Sequence, residues 1–200
     1  MDKPRLRPFE TRDTDACYEI CLQTADNGSD ATSLHTDPRI VGEVWVAPYL
    51  ARHPECAVVV EDAEGVGGYI VGAPDTDAYD RWADSDWFVS LRERYPLGSF
   101  PDGSADATCV NLIHNPPRMP AEITRSHPAH LHIDLLPRLQ RQGMGRMLMD
   151  ALFARVRVAG ADAIHLGCSP GNTNAIAFYQ RLGFEDLMGG FLWGRSTDPL

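Results

Sequence analysis

The sequence is short of basic residues. Eighteen lysines and arginines stand against 28 aspartates and glutamates, a formal net charge of −10 at pH 7. A nucleic-acid partner, which calls for a basic face, is therefore not expected. No apolar run approaches the ~20 residues needed to cross a bilayer, so no membrane segment is expected either. The first residues, MDKPRLRPFETRD, carry charge where a secretory signal would carry an apolar stretch. C-x-x-C pairs are missing, and the five cysteines (Cys17, Cys21, Cys56, Cys109, Cys168) are an odd number. That pattern excludes a complete disulfide framework and suits reduced thiols in a cytoplasmic protein. Cys17 and Cys21, four apart on an expected helix, read as small core residues.

What remains is an ordinary globular composition, 44% hydrophobic and 23% charged over 200 residues. It suits a single domain over residues 1–200, without repeats or linkers. A short strand is expected at residues 5–10, a helix at 14–24 and a weaker helix at 38–50. The β-branched run CAVVVE and the stretch GGYIVG form a hairpin, with Gly65 free to take positive φ in the turn. Residues 74–128 are the irregular part of the chain, with a helix expected at 77–94, proline-rich connections and a strand at 109–114. Strands at 130–136 and 163–168 alternate with helices at 143–159 and 173–182, and two short strands, 184–187 and 191–195, follow. Gly183 sits where a helix C-terminus favours glycine. Strand–helix–strand–helix–strand is α/β architecture with a parallel strand pair.

The segment QRQGMGRMLMDALFARV raises a specific question. Gly143 and Gly145 stand at the mouth of a helix, where each costs about 1 kcal/mol relative to alanine. A helix N-terminus presents free backbone N–H groups and partial positive charge, and glycines let an anion approach the backbone. Arg141 and Arg146 flank the loop. The spacing is neither the P-loop G-x-x-x-x-G-K-[ST] nor G-x-G-x-x-G, since position 148 is leucine.

A second constellation, NTNAIAFYQRLGFE, follows one strand later. Together the two resemble the GCN5-related N-acetyltransferase (GNAT) family. Gln140, Gly143 and Gly145 match its [QR]-x-x-G-x-[GA] acetyl-CoA loop. Asn172, Ala175, Ile176, Tyr179, Leu182, Gly183 and Phe184 match its second motif. The stretch from Arg157 onward, with the long segment before HLHIDLLP, also looks like the acetyltransferase-like C-terminal domain of animal O-GlcNAcases, here free-standing. The acetyl-CoA loop is degenerate in that animal domain and intact here. The resemblance implies the GNAT fold: a central mixed, mostly antiparallel sheet, splayed at a parallel strand pair and flanked by helices, with the long insertion before the fourth strand.

The resemblance further implies acetyl-CoA as cosubstrate and an amine acceptor, a small molecule or a peptide lysine. The pyrophosphate would rest on backbone N–H groups of Arg141, Gln142, Gly143, Met144, Gly145 and Arg146, beside Gln140. The pantetheine would pair with backbone at Leu135 and Leu136. Asn172, Asn174, Ala175, Phe178 and Tyr179 would complete the coenzyme site. Tyr179 would protonate the leaving thiolate, and Asn172 also suits a helix N-cap.

A base is harder to place. Many relatives carry a glutamate where this chain has Gly167. Strand alternation puts His130, His132 and Asp134 on one face, with Asp134 the first choice of base and His132 the second. His127, His130, His132 and His165 could cluster around a metal, but no cysteine has the right spacing and no metal is expected. The acids and aromatics of the insertion (Asp80, Trp82, Asp84, Asp86, Trp87, Phe88) could line an amine site. The default for such a helix is aromatics inward and aspartates to water. A rival reading is an acetyl-CoA-binding protein without catalysis, serving as a sensor or interaction module.

Overall fold

The computed structural model describes residues 3–200. Strand β1 (Arg5–Pro8) leads through one 3-10 turn into α1 (Thr14–Thr24). Two short helices follow, α2 (Ile40–Trp45) and α3 (Ala47–Arg52), in place of the single helix expected over 38–50. The break falls at Val46 (φ −125°, ψ −46°). Pro48, in the first turn of α3, has no N–H to continue the ladder. Strands β2 (Val58–Asp62) and β3 (Gly65–Ala73) form the expected hairpin, with Gly65 at φ +102°.

The insertion is helical. Asp75 accepts the N–H of Ala78 and starts α4 (Thr76–Trp82). One π-type stretch, Ala83–Trp87, carries the chain into α5 (Phe88–Arg94). Residues 109–114, expected as a strand, lie instead in helix α6 (Ala105–His114). Ser104 caps it by accepting the N–H of Ala107 at 3.1 Å, and Cys109, Val110 and Ile113 bury one helical stripe. The apolar run alone suits a strand; its spacing and the serine cap decide for helix. Helix α7 (Ala121–Ser126) then leads to β4 (Ala129–Leu135). The remainder is α8 (Met144–Val158), β5 (Ala163–Gly167), α9 (Thr173–Arg181), a two-residue β6 (Glu185–Asp186) and β7 (Leu192–Ser196).

The seven strands lie in the order β1-β2-β3-β4-β5-β7-β6. Every pairing is antiparallel except β4 with β5. Strand alternation divides the core between the two sheet faces. Val59, Tyr69 and Val71 join α1, α2, α3 and the insertion on one face. Val58, Val60, Ile70, Leu131 and Ile164 join Leu148, Met149, Leu152, Phe153 and Val156 of α8 on the other. At the sheet edge Arg7 grips buried Asp13 through two hydrogen bonds, 2.6 and 2.8 Å, and Glu61 through a third, 2.6 Å. Among the described residues no helix is long and apolar enough to cross a membrane.

Candidate active site

The sheet opens where β4 and β5 part. Their parallel pairing covers only Ala129↔Ile164 and His130↔His165. On its other side β4 pairs fully with β3, from Gly68↔Leu135 to Ala73↔His130. The N–H of Leu136 donates to the Gly67 carbonyl at 2.9 Å, so even-numbered residues spend their backbone groups on β3. Ile133 and Leu135 therefore turn theirs toward the gap. A cavity of about 630 Å³ occupies this opening, lined by both strands and by residues of α1, α2, α4 and α9.

Residues 136–143 form the rim. Leu136 spends its N–H on Gly67 and its carbonyl on the N–H of Leu139. Its backbone is thus committed inside the protein, unlike the expected coenzyme contact. Gln140 donates to the Leu135 carbonyl at 2.8 Å, leaving the Leu135 N–H toward the gap. Gln142 donates to the Arg138 carbonyl at 2.5 Å. Arg141 takes φ +59° and Gly143 φ +83°, and a Cβ on Gly143 would meet nothing within 4 Å. Gly143 caps the 15-residue α8, so the N–H groups of Met144, Gly145 and Arg146 point out of the helix end. Arg141 and Arg146 are exposed, and Arg146 Nε lies 4.0 Å from Asp150. Gly145 is different: a Cβ there would lie 3.0 Å from Phe178 Cζ and 3.5 Å from Leu135 Cδ1.

Helix α9 supplies the opposite wall. Asn172 lines the cavity and caps α9 by accepting the N–H of Ala175 at 3.1 Å. Asn174 points to the surface and does not line the cavity. Ala175 and Phe178 pack against the α8-side core. Tyr179 is buried, its ring 5.5 Å from Phe178 and 5.6 Å from Phe184, and it lines the cavity. Burial first, then Cys168 and Asp134, raise its pKa, so the phenol keeps its proton.

On β4, His132 and Asp134 are joined, Nε2 to Oδ2, at 3.0 Å. The Tyr69 hydroxyl donates to the same oxygen at 2.5 Å. Burial opposes the charge on His132, but the Asp134 carboxylate outweighs it and raises the pKa above the ordinary imidazole value. Burial opposes the charge on Asp134 too, yet His132 and then Tyr69 hold its pKa below the ordinary value. The two form an imidazolium–carboxylate pair. His130 stands apart: burial, then His165 and His53, push it down to about 3, and the ring is neutral. Among the described residues, histidines 127, 130, 132 and 165 do not bring three ligand-type atoms together. The ligand-type atoms that converge are those of Cys21, His132 and Asp134, within 4.8 Å of one another. Cys21 arrives from α1, a partner that sequence distance concealed. Gly167 lines the cavity, and a Cβ there would meet nothing within 4 Å.

The insertion closes the far side. Asp84 pairs with Arg92 at 2.5 Å and Arg118 at 2.6 Å, and Asp86 is exposed. Trp82 and Trp87 pack on the core. Asp80, expected to face water, lines the cavity instead, with Tyr79 and Phe88. Burial pushes its pKa up to about 6 against the pull of Arg118 and the Met119 N–H. Trp45 and Tyr49 also line the cavity and were not anticipated. They sit on α2 and α3, whose apolar spacing carries no sign of a ligand.

A seven-stranded sheet split at one parallel pair, with a glycine-capped helix on its rim, defines an α/β fold with its cavity at the split. Residues 109–184 match the Acetyltransferase (GNAT) family. The crystal structure of SsHAT is 37% identical, with a TM-score of 0.91, over 98% of this chain and 99% of that one. The chain belongs to the GNAT acetyltransferase family. The O-GlcNAcase of Rattus norvegicus is 21% identical over 184 residues, 91% of this chain and 20% of that protein. The chain thus spans about a fifth of the length of the curated relatives it matches. A phosphinothricin acetyltransferase from Sinorhizobium meliloti, solved with acetyl-CoA, shares the fold. Its TM-score is 0.55 at 17% identity, over 96% of this chain and 88% of that one.

Proposed function

We propose that residues 1–200 act as one acetyl-CoA-dependent N-acetyltransferase domain, moving acetyl directly from coenzyme A to an amine held in the cavity. The observation that carries this is the gap between β4 and β5, where Ile133 and Leu135 keep backbone groups without a strand partner. An extended pantetheine would complete that edge. Its pyrophosphate would lie on the N–H groups of Met144, Gly145 and Arg146, over the open face of Gly143 and beside Arg141. A backbone N–H of β4 would polarise the thioester carbonyl as charge develops on its oxygen. Tyr179, held protonated, would give its proton to the leaving thiolate.

Asp134 and His132 suit a role other than base. An imidazolium has no lone pair to offer, and a carboxylate held below its ordinary pKa takes protons poorly. The pair is neutral overall, so we assign the attraction of a cationic amine on its way in to Asp80, which lines the same cavity. The open space at Gly167 favours the rival reading of a binder without catalysis, since no carboxylate stands there.

Amine-dependent release of free coenzyme A separates the two. The enzyme reading expects such release, and expects Tyr179→Phe to lower kcat by about 10²-fold or more while acetyl-CoA still binds. Tight acetyl-CoA binding without release on any amine would favour the binder.

A further inference from the structure

Thr76 Oγ1 lies 2.7 Å from the Pro128 carbonyl oxygen and 2.8 Å from His130 Nδ1. A hydroxyl has one proton to donate, and a carbonyl can only accept. The proton therefore goes to Pro128; otherwise two lone-pair oxygens would face each other at 2.7 Å. Thr76 Oγ1 is then the acceptor for Nδ1, which must carry the ring proton. The ring is neutral, set edge-on to Tyr49 and Tyr79 with centroids 5.2 and 4.8 Å away. A neutral imidazole protonated on Nδ1 has a bare lone pair on Nε2. No described residue hydrogen-bonds that atom. Yet no buried side-chain nitrogen or oxygen among the described residues lacks a partner. Nε2 therefore reaches open space, and the space His130 lines is the cavity.

We propose that His130 Nε2 accepts the N–H of the attacking amine, and that Thr76 is the positioning residue that fixes the ring tautomer. This rests on the acetyltransferase reading of the site. In the transfer, the amine nitrogen forms the C–N bond and the C–S bond breaks. The Tyr179 proton goes to the thiolate and the amine proton to Nε2. Water returns the proton from the imidazolium to the tyrosinate, leaving an amide and free coenzyme A. So weak a base cannot strip an ammonium ion. The amine must arrive at Nε2 neutral, and its proton leaves only as C–N bond formation makes the nitrogen acidic.

The test uses the full chain labelled with 15N-histidine. Two-bond 1H–15N spectra report which ring nitrogen carries the proton, and His130→Asn assigns the signal. The expected pattern is Nδ1–H with unprotonated Nε2 throughout pH 5.5 to 8, and Thr76→Val should mix the tautomers. With coenzyme A bound, butylamine, tyramine and Nα-acetyl-lysine methylamide are then titrated, and an amine that is a substrate should move the Nε2 resonance. His130→Asn, whose amide still reaches Thr76, should lose about 10²-fold in kcat with unchanged acetyl-CoA affinity. Thr76→Val should lose about tenfold, and Thr76→Ser should restore the rate. An Nε2–H or charged His130 at pH 7 would overturn the proposal, as would a wild-type kcat in His130→Asn. Failure of the unaltered protein to bind acetyl-CoA would instead strike the underlying reading, and calorimetry registers that separately.

Discussion

Gly145 and Phe178 bring the two sequence motifs into contact: a Cβ on the glycine would lie 3.0 Å from the ring. Helices α8 and α9 meet there through a glycine hydrogen. Gly143, two residues earlier, has open space around it and a φ of +83°. The two glycines thus answer different demands, packing at 145 and backbone conformation at 143. Gly145→Val should destabilise by about 1–3 kcal/mol through overpacking. Gly143→Ala should cost about 1–2 kcal/mol through left-handed backbone strain, and Gly143→Asn less. Urea denaturation of the three variants checks both halves.

The His132–Asp134 pair makes stability depend on pH from both sides. The folded pKa of His132 lies above its ordinary 6.5, so its contribution is full below that value and is lost as pH climbs through the raised one. The folded pKa of Asp134 lies below its ordinary 3.8, so its contribution is present above 3.8 and lost as pH falls through the lowered one. NMR titration should find His132 still charged at pH 7.5. In Asp134→Asn its midpoint should drop to 6.5 or below; a midpoint that stays high would mean another group holds the charge.

Asp80 has the opposite sense. Burial places its folded pKa at about 6, above the ordinary 3.8. Between those values the unfolded chain ionises first, so this residue makes stability fall as pH rises. Asp80→Asn should raise the melting temperature at pH 7.5 and leave it unchanged at pH 3.5. It should also raise KM for cationic amines while sparing acetyl-CoA affinity. A lower melting temperature at pH 7.5 would contradict the assignment.

Asp13 is buried against Arg7, and its pKa is lowered by the Arg7 hydrogen bonds against the cost of burial. Asp13→Ala leaves a half-buried guanidinium with fewer partners and should cost about 3 kcal/mol. The loss should be read at pH 7 and shrink as pH falls through the lowered Asp13 pKa, where the wild-type carboxylate is itself protonated. A difference that stays constant while the wild-type carboxylate takes up its proton would mean that packing, not the ion pair, is at stake.

Much of this was legible beforehand because local signals and the fold agree. The alternation in HLHIDLLP placed His130, His132 and Asp134 on one face, and the glycine before α8 marked its start. The legible part ends where contacts are long-range. Nothing near residue 134 announces Tyr69 or Cys21, and nothing near His130 announces Thr76, 54 residues away. For the helix expected at 77–94 the amphipathic default puts aspartates in water, and Asp80 departs from it because a helix covering a cavity has wet and dry sides a surface helix lacks. Residues 109–114 show how a short apolar run cannot choose between strand and helix until its cap and buried stripe are considered.

Calorimetric titration of acetyl-CoA into the unaltered chain and into Gly143→Asp tests the central claim most directly. Aspartate tolerates the left-handed backbone at 143, and its Cβ would meet nothing within 4 Å, so the variant should fold. Its carboxylate would stand where the pyrophosphate is placed. The account predicts a Kd on the order of micromolar for the unaltered chain, weakened at least about tenfold in the variant. Equal affinity in the two proteins would contradict the placement of the coenzyme on the α8 N-terminus, and no binding to either would contradict the acetyl-CoA reading itself.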